Sequence, residues 1–141
     1  MTTINKSAKI LVIGGSSLDT LTIKGKDHSS PGGAGLYTAL AAAKSGADVT
    51  LLAPFPSPVP ATVLEFSAHV KWIGPEVSPD ELPRFHIVHA NGETKYKRSF
   101  FGAEGAMTAE DLPYDFSEYD LVHLVPLGDT IKRLEFINYL S

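Results

Sequence analysis

Between Lys9 and Gly15 the chain reads KILVIGG, an unbroken apolar run rich in Ile and Val that ends in paired glycines. A run without polar alternation suits a strand covered on both faces, so it predicts a buried parallel strand. In the next stretch, SSLDTLTIKGKDHSS, Leu18, Leu21 and Ile23 are interleaved with Thr, Lys and Asp, and Gly25 with Asp27 supplies a turn. That mixture predicts exposed strands. From Gly35 to Ser45, Leu36, Ala39, Leu40 and Ala43 recur at the i, i+3, i+4, i+7 spacing of one buried helix face, and Gly46 stands where a helix stops. Asp48 to Ala53, DVTLLA, is a second core strand. Strand, helix and strand in that order imply a βαβ crossover, hence an α/β domain with a parallel sheet.

Downstream, PFPSPVP at 54–60 reads as a loop, because each proline removes a backbone donor and restricts the residue before it. A short helix at 61–68 and a strand at 70–73 follow. Arg84 to Ala90 and Glu93 to Arg98 form a hairpin around Asn91-Gly92, a dipeptide that accepts the positive φ angles of a tight turn. This hairpin is polar enough to project from the core. Asp120 to Val125, DLVHLV, is another core strand with His123 inside, and Asp129 caps a helix that runs to Tyr139.

With 141 residues the chain has the size of one compact domain. The net charge of −4 and the lack of a Lys or Arg run argue against nucleic acid, whose phosphates need a clustered basic footprint. The absence of cysteine removes disulfides and thiolate zinc sites and predicts a reducing, cytoplasmic setting. The stretch 1–9 is polar, and no apolar run approaches the ~20 residues needed to span a membrane, so no targeting or membrane segment is expected.

Chemistry centres on SSPGGAGLYTALAAAKSGA, residues 29–47. A dinucleotide fingerprint would need its glycines directly after the first strand, with a third glycine where Thr38 stands. A phosphate-binding P-loop would need Lys and Ser or Thr where Leu36 and Tyr37 stand. What remains is a glycine pair, Gly32 and Gly33, at a helix start, either as a plain turn or as a place where a ligand meets backbone N–H groups. His86 and His89 point to opposite faces of their strand and predict no shared metal. Glu110, Asp111, Asp115, Glu118 and Asp120 read as a solvated surface.

The stretches ILVIGGSSLD, PGGAGLYTALAAAKSGADVTLLAP, NGETKYKRSF and GAEGAMTAEDLP, in this order, resemble the N-terminal half of the ribokinase-like (PfkB) carbohydrate and nucleoside kinases. The resemblance covers nearly the whole chain. It implies a Rossmann-like ribokinase fold, a partly parallel sheet flanked by helices with a small β-sheet lid, of which 1–141 is the N-terminal portion and about 18–31 and 84–101 are lid segments. It further implies that Asp19 holds substrate hydroxyls and that Gly32 and Gly33 line the pocket. Asp19 lies past the carboxyl end of the first strand, the usual ligand side of such sheets, and a carboxylate can accept from two hydroxyls. Tyr37, at a position where members carry a polar substrate contact, and Phe100, where the lid returns, complete the expected substrate set, with Phe101 beside it. Ala34, and Pro126 with Leu127 at the end of the late strand, replace polar family contacts, which implies a substrate larger or less hydroxylated than ribose.

The resemblance also implies what lies outside the chain. Members place a G-A-G-D near their C-terminus, whose aspartate is the general base and whose amides stabilise developing charge. Here Gly33-Ala34-Gly35 imitates the tripeptide, but Leu36 follows and cannot take a proton. The expectation is a substrate-binding half with no catalytic, cofactor or metal residues of its own, ATP and magnesium belonging to a longer parent. A lid-to-lid homodimer is the implied assembly. A non-catalytic sugar- or nucleoside-binding module and an unrelated nucleotide-binding α/β domain stay open as alternatives.

Overall fold

The computed structural model describes residues 6–141, so the first five residues of the polar N-terminal stretch lie outside it. Strand β1 (Lys9–Ile13) leads through Gly14–Ser16 into a hairpin of β2 (Ser17–Ile23) and β3 (Lys26–Gly32). Helix α1 (Ala34–Lys44) follows, then β4 (Asp48–Leu52), β5 (Phe55–Pro56), α2 (Ala61–Ser67), β6 (Lys71–Ile73) and β7 (Glu76–Val77). The second hairpin is β8 (Arg84–Ala90) with β9 (Glu93–Phe100), and the described chain closes with β10 (Leu121–Leu124) and α3 (Thr130–Leu140).

Two four-stranded sheets result. The first is parallel throughout, in the order β10-β1-β4-β6. Its central strand buries Leu11, Val12 and Ile13 completely. Alternate residues serve opposite layers: Val12 packs with Leu36, Ala39 and Leu40 of α1, whereas Leu11 and Ile13 pack with Met107, Leu112 and Phe136 of α3. Fully burying such aliphatic side chains is worth ~1.5–3 kcal/mol each, which fixes the helix–sheet–helix layering. The second sheet has the order β3-β2-β8-β9, with parallel pairing only between β2 and β8. Both of its hairpins turn on two consecutive positive-φ residues, Lys24-Gly25 and Asn91-Gly92. Such a turn twists in the sense that strand pairs require.

Two sequence-based expectations are corrected. Residues 54–60 are not wholly loop, because β5 pairs in parallel with β7. Phe55 N–H and Ser57 N–H donate to Pro75 O and Val77 O at 2.9 Å each, which puts Pro56 at the one position where no donor is needed. His123 is exposed rather than a core residue. It lies on β10, the outer strand of the parallel sheet, and α1 covers β1 and β4 instead of this edge. Leu121 beside it and Ile131, Leu134 and Ile137 of α3 are exposed as well.

Candidate functional site

The end of β1 turns through Gly14, Gly15 and Ser16 directly into β2, so Ser17 and Asp19 sit where the parallel sheet meets the second sheet. Asp19 is only 9% exposed. Its Oδ1 accepts a hydrogen bond from the Phe85 N–H of β8 at 3.2 Å, and its Oδ2 lies over Gly32 at the end of β3. Burial raises the Asp19 carboxyl above the ordinary aspartate range, and the neighbouring Ser17 hydroxyl and then the Phe85 N–H offset part of that rise. Ser17 Oγ is itself buried with no aligned hydrogen-bond partner among the described residues, so it acts on Asp19 as a nearby dipole. A buried carboxylate with a spare oxygen and a buried hydroxyl without a partner form a small polar corner in an otherwise apolar junction. Groups of this kind call for an explanation, since leaving one unpaired costs roughly 1–3 kcal/mol.

The glycines are explained mainly by close packing. A Cβ on Gly32 would collide with the Asp19 carboxylate and come within 2.7 Å of Ser17 Oγ. Gly33, the N-cap of α1 with φ +98°, would place a Cβ 2.5 Å from Gly15 O, and Gly35 would place one 2.7 Å from Gly14 C. The helix start is thus seated on the β1–β2 turn, and the Leu36 N–H donates to Gly15 O at 3.2 Å. Gly32 borders the Asp19 corner, whereas Gly33 is packed against Gly15 and Ser16 of the β1–β2 turn. Tyr37 is tied elsewhere: its hydroxyl donates to Pro31 O at 2.7 Å, linking α1 to the end of β3.

Phe100 is not brought to Asp19. Register pairs Phe100 with Arg84, whereas Phe85, whose N–H reaches Asp19, pairs with Ser99. Neighbouring residues of a strand face opposite ways, so Phe100 lies on the far face of the second sheet. Phe101 takes the near side, stacked edge-on against Phe85 at 5.6 Å and packed on Gly128.

One carboxylate at this junction escapes sequence reasoning. Glu104, in the 3₁₀ turn Gly102–Ala106, accepts the Gly128 N–H on Oε2 at 3.1 Å, while a Cβ on Gly15 would sit 3.0 Å from its Oε1. Burial raises this carboxyl; the Gly128 N–H opposes the rise and the charge of Asp129 adds to it. Glu104 therefore stands at the carboxyl ends of β1 and β10, near the site that Pro126 and Leu127 leave without a polar side chain. No local motif marks it, because it arrives from the return of a hairpin.

The remaining candidates have local roles. His86 Nε2 lies 2.8 Å from Thr22 Oγ1 and His89 Nδ1 lies 2.9 Å from Thr94 Oγ1. Asp111 accepts the Thr108 N–H at 2.8 Å, Asp120 accepts the Lys9 N–H at 2.8 Å, and Asp115 is held below the usual range by the Ser117 N–H and hydroxyl. No group of three His, Cys, Asp or Glu side chains is placed to hold a metal among the described residues, and none of the described helices is long and apolar enough to cross a membrane.

No protein-family profile matches the chain, and no curated protein matches it in sequence. Solved structures do match. Ribokinase from Giardia lamblia superposes with a TM-score of 0.75 at 21% identity, covering 96% of this chain and 46% of that one. Ribokinase from Cryptococcus neoformans in complex with ADP gives 0.66 at 18% identity, over 85% and 41% of the two chains. A putative 2-keto-3-deoxygluconate kinase from Enterococcus faecalis gives 0.64 at 20% identity, over 92% and 44%. The chain therefore has the ribokinase-like fold, over a span somewhat under half the length of the solved kinases it matches.

Proposed function

We propose that the chain is the substrate-holding part of an ATP-dependent kinase that phosphorylates a hydroxyl of a small sugar or nucleoside. The observation that carries this reading is the buried pair of Asp19 and Ser17 at the carboxyl ends of the parallel strands, pressed against Gly32. An ionised carboxylate accepts from vicinal hydroxyls, and the adjacent Ser17 hydroxyl donates to a third oxygen. Glu104 adds a second acceptor across Gly15. Two carboxylates of this kind favour a neutral polyol over an anionic one.

The Gly33–Gly35 turn does not fit a triphosphate, because its backbone is closed against Gly14 and Gly15 with no room for even a methyl group. On this reading nucleotide and magnesium belong to the part of the kinase fold outside the matched span, which covers 46% and 41% of two solved ribokinases. What this chain's own residues do is bind and orient the acceptor hydroxyl, a positioning effect that supplies much of the rate in phosphoryl transfer.

Titration of the chain with a panel of neutral pentoses, hexoses and nucleosides, read by amide chemical shifts, tests the proposal. A binder should move the Ser17, Asp19 and Gly32 signals. A panel member that binds saturably while leaving those three residues unmoved would point to a different pocket.

A further inference from the structure

The face of the second sheet turned away from Asp19 carries a cluster of basic side chains. Register sets Arg84 beside Phe100, and His86 beside both Arg98 and Thr20. These side chains line an open hollow of about 310 Å³. The same face runs on past the β-bulge at His86/Ile87 to Lys95 and Lys97, which border a smaller hollow with Val88. In a chain of net charge −4, five basic side chains thus share one sheet face.

Carboxylates offset this charge only in part, and the Arg84 guanidinium also donates to Pro79 O at 2.9 Å. Glu93 is paired with Lys95 at 2.9 Å, and Asp80 lies 3.5 Å from Arg84 in an exposed contact. Asp27, at the rim, accepts the Thr22 hydroxyl at 2.5 Å. Lys97 and Arg98 have no carboxylate within salt-bridge distance among the described residues. Basic groups set side by side across a strand pair repel one another, and a bound anion removes that cost. A concave positive surface concentrates anions, and a guanidinium fork matches phosphate geometry better than an ammonium does. Phe100 is 50% exposed at the floor of the hollow and offers a face on which a planar ring can stack.

We propose that this hollow binds a nucleoside phosphate, with the phosphate on Arg98 and Arg84 and the base against Phe100. The site is separate from the Asp19 corner, from which it is divided by the thickness of the sheet, and it does not depend on the kinase reading.

The test uses the isotope-labelled 141-residue chain titrated with AMP, inorganic phosphate and adenosine at low ionic strength. AMP should shift the Arg98 side-chain N–H and the amides around Arg84 and Phe100 saturably, and bind more tightly than either fragment. Arg98→Ala should weaken AMP by roughly ten- to a hundredfold. Phe100→Ala should weaken AMP by about fivefold or more while leaving phosphate unchanged. Any shifts of Ser17, Asp19 and Gly32 report the separate Asp19 corner and should vanish in Asp19→Ala, while those at Arg98 and Phe100 persist. The proposal is overturned if AMP binds no better than phosphate, if Arg98→Ala has no effect, or if the shifts cluster elsewhere. Sedimentation showing this face buried in a lid-to-lid dimer that ignores AMP would overturn it equally.

Discussion

The Asp19 carboxylate occupies the space in which a side chain on residue 32 would begin. This contact joins β2 to the end of β3 and explains why glycine precedes Gly33 at the start of α1. Gly32→Ala should force the carboxylate aside and break its 3.2 Å bond to the Phe85 N–H. Overpacking of this sort costs ~1–3 kcal/mol, measurable as a lowered urea midpoint. An unchanged midpoint would mean that Asp19 does not rest on Gly32.

A second packing prediction concerns Gly35. Its Cβ would meet the backbone of Gly14 and Gly15 at 2.7 Å, where no flexible side chain can yield. Gly35→Ala should therefore destabilise by about 1–3 kcal/mol or more, whereas Gly105→Ala, with nothing within 4 Å, should stay within ~0.5 kcal/mol of the parent. Equal unfolding curves for the two variants would remove the seating of α1 on the β1–β2 turn.

The pH dependence has a definite sign. Asp19 and Glu104 are both raised, chiefly by burial. A carboxyl whose folded pKa is raised contributes stability below its unfolded pKa of ~4 and loses that contribution as pH rises through the folded value. Asp19→Asn and Glu104→Gln should thus increase the melting temperature at neutral pH, with the gain vanishing near pH ~4 as the parent carboxyls protonate. A gain that persists unchanged into acid would show that the effect is not ionisation.

The parallel sheet, the α1 crossover and the two hairpins are legible in the sequence, because each rests on a local pattern of apolar runs, helical spacing or turn residues, whereas the placing of Asp19 beside Gly32 came only through the family resemblance. What was not legible depends on long-range register. Phe100 and Phe101 are adjacent, and only the pairing of Phe85 with Ser99 decides which of them faces Asp19. Tyr37 looks available until its hydroxyl is found on Pro31 O. Glu104 carries no motif, and its place beside Gly128 follows from the path of β9. His123 sits in an apolar strand that turns out to be an edge.

Mixed with ATP, magnesium and neutral sugars, the purified chain should release no ADP above background. In-line transfer needs a base near the acceptor hydroxyl, and Leu36 follows the only Gly-Ala-Gly tripeptide. Turnover abolished by a substitution within these residues would place a complete active site in the chain.

Calorimetry of a panel binder against the parent chain and Asp19→Ala decides whether Asp19 holds the hydroxyls of a neutral substrate. A hydrogen bond to a charged group is worth ~1.5–3 kcal/mol, so Asp19→Ala should weaken binding roughly ten- to a hundredfold while circular dichroism stays unchanged. Equal affinity for the two proteins would contradict the claim and reduce Asp19 to a packing residue of the β2–β3 junction.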